Sequence, residues 1–217
     1  MNILFLDKEP KTAANFVPDN YAGKMALEAA QVLCDAIRVK LGKKGNLKQV
    51  LSTPLGRTEM VAPYPYVLEE DEEENPFLYL VANMNHPVTL WARYSKTNFN
   101  WIVKYAKELV KIDKEVRSKK KGEEVKEHSC IEMIKKCEAL SSQVDFSWKG
   151  LTPPAICHDG KAITSDDAVT SYRFYLHFKK CEWSDGRMPE WFDSQLNIKL
   201  SEMNKKNKKQ EKEQEEG

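Results

Sequence analysis

The chain has 217 residues, with 34 Lys+Arg against 33 Asp+Glu and a formal net charge of +1. Hydrophobic residues at 41% and aromatic residues at 10% exclude a disordered or collagen-like chain, and the length suits one domain with a sizeable core. No apolar run reaches the ~18–20 residues that cross a bilayer, and the opening Met-Asn-Ile-Leu-Phe-Leu-Asp lacks the basic start of a signal peptide, so an intracellular protein without a membrane partner is expected.

The short apolar stretch 2–6 leads into a segment punctuated by Pro10 and Pro18. Asp19 or Asn20 is predicted to cap a helix that runs to about Leu41 and stops at Gly42-Lys43-Lys44-Gly45. Met25, Ala29, Val32, Leu33, Ala36 and Ile37 recur at helical spacing, so this helix packs through one face. Residues 43–85 carry Pro54, Pro63, Pro65 and Pro76 and read as irregular, with the acidic run 69–74 as a solvated, mobile loop. Pro87 fits a first helical turn, and Ser95 or Thr97 caps a longer helix striped by Phe99, Ile102, Ala106, Leu109, Val110 and Val116. Lys119-Lys120-Lys121-Gly122 marks its end, and another helix is expected over 123–140. A loop around Pro153-Pro154 covers 141–164. Ser165-Asp166-Asp167 then opens a last core helix to about Cys181, rich in Tyr172, Phe174, Tyr175 and Phe178. Pro189-Glu190-Trp191-Phe192 reads as an aromatic plug. The expectation is an all-α fold, a compact single-domain bundle of four or five helices with long loops over 1–198, followed by a charged, disordered tail over 199–217.

The five cysteines are widely spaced and form no Cys-x-x-Cys pair, so reduced thiols are expected, with no metal site and no cofactor. The neutral total hides an asymmetry. Between Arg93 and Lys121 stand ten basic residues against three acidic ones. Lys104, Lys107, Lys111 and Lys114 recur at three and four residues on one helical face, a row that can contact successive phosphates or serve as an ordinary solvated face. Arg93, Lys96 and Asn98 lie close by, and Trp91 and Trp101 offer rings for stacking on bases. The charge pattern therefore permits DNA as a partner.

Glu28 falls on or beside the apolar stripe of the first long helix, where a carboxylate is costly unless paired or used. Lys24 at i−4 is its natural partner; the alternative is a partly desolvated acid with a raised pKa, suited to acid/base work. His86 stands at a loop-to-helix junction, as a cap, a core residue or a site residue.

Two stretches, Asp19-Asn20-Tyr21-Ala22-Gly23-Lys24-Met25-Ala26-Leu27-Glu28-Ala29-Ala30-Gln31 and the run from His86-Pro87-Val88-Thr89 to Asn98-Phe99-Asn100-Trp101, together with the Met-Asn-Ile start and Pro189-Glu190-Trp191-Phe192, resemble a family of small viral proteins labelled pyrimidine-dimer DNA glycosylases. That family looks distantly related to the phage endonuclease V class. The resemblance covers roughly residues 1–40, 84–117 and 165–192. It implies a compact helical glycosylase/abasic-site lyase acting on damaged or modified pyrimidines, in the host cytoplasm or nucleus. An N-terminal α-amine, on Met1 or Asn2, would attack the sugar C1′ with Glu28 assisting. Lys24 or the Lys104 row would hold phosphates, and an unstacked nucleotide would be read near Trp91 and Trp101. Asn2 stands where the class carries the Thr whose amine Met removal exposes, and Tyr21 where relatives carry His. Either Met1 supplies the amine, or the chain has the fold without that chemistry. Two other readings stay open: a non-enzymatic protein binding nucleic acid or a host partner through the Lys104 face, and an enzyme on free nucleotides or modified bases, with Glu28, His86 and Arg93 lining a small pocket.

Overall fold

The computed structural model describes residues 3–53, 56–61, 66–72, 75–158, 165–184, 186–200 and 202–203. Its centre is α2 (Ala22–Leu41), whose buried residues include five alanines, Ala22, Ala26, Ala29, Ala30 and Ala36. Such small side chains let neighbouring helices approach on several sides. Against α2 pack α3 (Pro87–Tyr94), α4 (Lys96–Lys121) and α5 (Cys130–Leu140), while α1 (Pro10–Asn15) lies on α4. The last helix of the core is α6 (Ala168–Leu176). The extended segment 3–6 threads this assembly with every side chain buried, and Phe5 meets the rings of Trp91 at 5.0 Å, Trp101 at 4.9 Å and Tyr172 at 5.8 Å.

The mostly helical class matches the expectation, and the element count exceeds it. Among the described residues α1 is additional. Pro10 opens it and the Glu9 carboxylate caps it by accepting from the Thr12 N–H at 2.9 Å. Asp19 and Asn20 do not cap α2, because both are spent on the far end of the chain. Asp19 accepts from the Ser184 N–H at 2.7 Å and pairs with Arg187, while Asn20 bonds the Lys180 carbonyl and the Glu182 N–H. His86 and Ser95 cap α3 and α4 as expected, and Gly122 ends α4 with φ +70°, the left-handed conformation a glycine adopts at little cost. Helix α5 starts seven residues later than expected, since the 122–129 segment folds back on α4, with Arg117 donating to the Lys126 carbonyl and the Val125 N–H to Ser118. Residues 194–200 and 202–203 are helical, so a helix runs from the end of the domain into the first residues of the charged tail; 201 and 204–217 lie outside the described residues.

Residues 43–85 depart most from an irregular reading. β1 (Lys43–Lys44) pairs antiparallel with β4 (Tyr66–Val67), and β2 (Lys48–Thr53) with β3 (Gly56–Val61), in the register Lys48↔Val61. The acidic run is not simply a solvated loop either. The Asp71 side chain is fully buried against the equally buried Arg38 of α2. All three guanidinium nitrogens of Arg38 donate: Nε to the Tyr79 carbonyl at 2.7 Å, Nη1 to the Tyr66 carbonyl at 2.9 Å and to Asp71 at 2.6 Å, Nη2 to Asp71 at 2.8 Å and to the Leu78 carbonyl at 2.6 Å. Asp71 also accepts from the Leu68 and Phe77 N–H groups. Burial pushes the Asp71 carboxyl up, but Arg38 and these N–H groups outweigh it and hold the pKa below the ordinary carboxylate value. One ion pair thus fastens β4 and the 68–80 segment after it to the C-terminal half of α2.

Because a buried pair is costly to break from one side, Arg38→Met should destabilise the fold by about 3–5 kcal/mol by stranding Asp71. Urea denaturation of Arg38→Met and of Arg38→Met/Asp71→Leu checks this. The double variant should recover much of the loss, and a single variant as stable as wild type would contradict the assignment.

Candidate active site

The first turns of α2, the segment at Leu4 and the end of α6 enclose a cleft of about 300 Å³. Leu4, Tyr21, Lys24, Glu28, Tyr175 and Lys179 are among its walls. Local sequence explains its shape. Gly23 lets α2 lie close under α4, since a Cβ there would stand 2.6 Å from the Asp113 Oδ1. Helix α6 gives way to a tighter turn after Leu176, in which the N–H groups of 177–179 bond carbonyls three residues back, and this turn carries Lys179 to the cleft.

Glu28 is 14% exposed and its Oε1 lies 3.7 Å from the ammonium of Lys24, itself 64% exposed. The pairing anticipated from the i−4 spacing is therefore present, and it leaves Glu28 lining the cleft. His86 accepts from the Val88 N–H through Nδ1 at 3.3 Å, which puts the proton of the neutral ring on Nε2. Its pKa is lowered, first by burial and then by the positive charge of the chain's amino terminus, with Glu28 opposing. The same terminal charge acts on Cys157, whose thiol is nonetheless pushed up by burial and is a poor nucleophile. The Tyr175 ring stacks on His158 at 4.8 Å and 12°, and the Lys179 ammonium sits 4.5 Å from its centroid. Tyr175 and Lys179 are walls that the sequence reading missed: Tyr175 reads there as a core aromatic, and no spacing links 175–179 to 21–28.

Four of the expected nucleic-acid contacts have structural tasks instead. Trp91 and Trp101 are 7% and 6% exposed, packed around Phe5, and their indole N–H groups donate to the Thr152 and Lys8 carbonyls. They are chiefly core rings, whose small exposed parts line a second cleft of about 340 Å³ with Asp7, Leu151 and Asp167. Asn98 is fully buried and ties the Trp91 carbonyl to Thr152. Lys96 donates to the carbonyl and hydroxyl of Ser141 at 2.7 and 2.8 Å, a structural task that turns it away from a phosphate role. In the lysine row, Lys107 pairs with Glu138, Lys111 with Glu108 at 3.2 Å and Lys114 with Glu124 at 2.6 Å, while Lys104 is exposed. Exposed pairs of this kind are weak and exchange readily for other anions, but they blunt the row's positive field. Arg93 is half-buried, and its Nη1 is buried without a hydrogen-bond acceptor, as is the Thr89 hydroxyl one turn earlier. Met1 and Asn2, the expected amine carriers, lie outside the described residues. Among the described residues no group of three His, Cys, Asp or Glu side chains is arranged to hold a metal ion.

Two turns beyond Glu28 on α2 lies Asp35, 1% exposed, accepting from the Ala82 and Asn83 N–H groups. Burial pushes its pKa up to about 6, against the opposing pull of those N–H groups and of Arg38 and Arg93. No protein-family model, curated protein or solved structure matches the chain.

Asp35 makes a signed pH prediction. Folded, it keeps its proton to about pH 6; unfolded, it loses it near 3.8, so the stability present at low pH is lost as pH rises through that interval. Relative to wild type, Asp35→Asn should gain up to about 3 kcal/mol between pH 4 and pH 7. Chemical denaturation of both proteins across that range checks it, and parallel profiles would contradict the assignment.

Proposed function

We propose that the protein is a DNA glycosylase/abasic-site lyase acting on damaged or modified pyrimidines, with the cleft beside Glu28 as its active site. The observation that carries the reading is a carboxylate, Glu28, lining a small cleft whose wall includes Leu4 and lying within electrostatic reach of a histidine that also feels the amino-terminal charge. At about 300 Å³ the cleft is at the small end of ligand sites, with room for one unstacked nucleotide and not for a duplex. The likeness of the 19–31 and 86–101 stretches to viral glycosylases supports the same chemistry.

In this mechanism the unprotonated α-amine attacks C1′ of the extruded nucleotide. The C1′–N bond breaks, and the base leaves with the bonding pair and takes up a proton. The amine then gives up a proton, the C1′–O4′ bond breaks with O4′ taking the pair and a proton, and the nitrogen lone pair closes the C1′=N bond of a protonated Schiff base, from which removal of a C2′ proton expels the 3′ phosphate. An α-amine has an ordinary pKa near 8, which leaves a useful neutral fraction at pH 7. Glu28 is placed in the reading as the base for the C2′ proton, and neutral His86 as a donor through Nε2 toward the departing base.

Borohydride trapping tests it. Wild type with an intact amino terminus, verified by mass spectrometry, should form a covalent adduct with an abasic-site duplex, and Glu28→Gln should still form it while cutting the rate of strand cleavage by about 10²–10⁴-fold without loss of folding. Absence of any adduct with a free amino terminus would rule out the lyase chemistry.

A further inference from the structure

We propose that Lys24 and Lys179 form a phosphate site on the two lips of the cleft, with Tyr175 as the positioning residue that holds Lys179 over it. The two ammonium groups come from elements 155 residues apart, α2 and the turn after α6, and both line the same cleft. A lysine side chain is ordinarily a loose tether. Here Lys179 is fixed by the face of the Tyr175 ring, 4.5 Å from its centroid, and that ring is fixed in turn by its stack on His158. Lys24 lines the same cleft from α2 and is 64% exposed, so its charge is open to a ligand as well as to Glu28. With the carboxylate of Glu28 recessed at 14% exposure, the accessible rim is cationic. Tyr21 adds a phenol to the same wall, kept protonated and donating by its burial.

Two ammonium point charges and a phenol lining one cleft suit a tetrahedral oxyanion with several acceptor oxygens better than a flat carboxylate, which favours the planar fork of an arginine. A cleft that admits one nucleotide and carries its cations at the rim would hold the phosphate outside and leave the sugar and base to the interior. The phosphate belongs to a free nucleotide or to a strand, and the same groups serve both. The inference shares its cleft with the reading above and rests on it only for what the sugar carries; the phosphate site needs neither the amine nor bond cleavage.

The test measures binding by the full-length protein, over a series of salt concentrations, of thymidine, thymidine monophosphate and a single-stranded oligonucleotide with one tetrahydrofuran abasic analogue. Wild type should bind the monophosphate and the oligonucleotide but not thymidine, and Lys179→Gln should weaken oligonucleotide binding roughly fivefold and reduce the log–log salt slope by about 0.7. Lys179→Arg should restore most of both. Tyr175→Leu should weaken binding, and the Tyr175→Leu/Lys179→Gln double variant should add little further, a non-additivity that mere loosening of the fold would not produce. Weakening of both phosphate ligands assigns the site to free nucleotides as well as strands, and weakening of the oligonucleotide alone assigns it to a strand phosphate. An unchanged affinity and salt slope in a folded Lys179→Gln overturns the site. Because the abasic analogue cannot form a Schiff base, these binding results stand apart from borohydride trapping, and failure of one leaves the other readable.

Discussion

A helix buried on most of its faces sets the terms for the rest of this fold. Helix α2 passes between α3, α4 and α5, so the charged residues on its packed faces are taken out of water and each must be answered by something else. Arg38 is answered fully, by Asp71 and three backbone carbonyls. Asp35 is answered by two backbone N–H groups and still has its pKa pushed up to about 6. Glu28 is answered by Lys24 across 3.7 Å and faces a cleft rather than a packed neighbour. Along one helix the solutions grade from a closed network to an open carboxylate, and the open end is where chemistry has room.

The same helix explains how a distant part of the chain reaches the site. Asp19 and Asn20, at the entrance to α2, are tied to 180–187 through Arg187, Ser184, Lys180 and Glu182. That clamp carries the turn after α6 against the start of α2, which brings Lys179 and Tyr175 opposite Lys24 and Glu28. The anchor at Arg38 and the clamp at Asp19 therefore hold α2 at both ends, and the cleft is the gap that remains beside its first turns.

Much of this was legible in the sequence, where local signals carry the information. The periodicity of Met25, Ala29, Val32, Leu33 and Ile37, the Ser95 cap and the Gly122 stop locate α2 and α4 closely, because caps and stripes are local physics. What was hidden depends on pairs far apart in the chain. Arg38 and Asp71 are separated by 33 residues, and an acidic run reads as solvated until its buried Asp71 meets a guanidinium. Trp91 and Trp101 look like free stacking rings because nothing in their own helices reveals that Phe5 fills the space between them. For Glu28 and Lys24 helical spacing was enough; for Tyr175 and Lys179 it could not be, since the clamp that places them is tertiary.

If the protein acts on nucleic acid as proposed, two surfaces could meet it: the cleft at Glu28, and the lysine row of α4, of which Lys107, Lys111 and Lys114 are already paired with carboxylates. The proposed function puts recognition at the cleft. Backbone amide NMR of the full chain, titrated with the tetrahydrofuran-containing oligonucleotide, separates them most directly. Shifts concentrated at 21–28 and 175–179 are the predicted result. Shifts confined to 104–114, with the cleft residues unmoved, would contradict it.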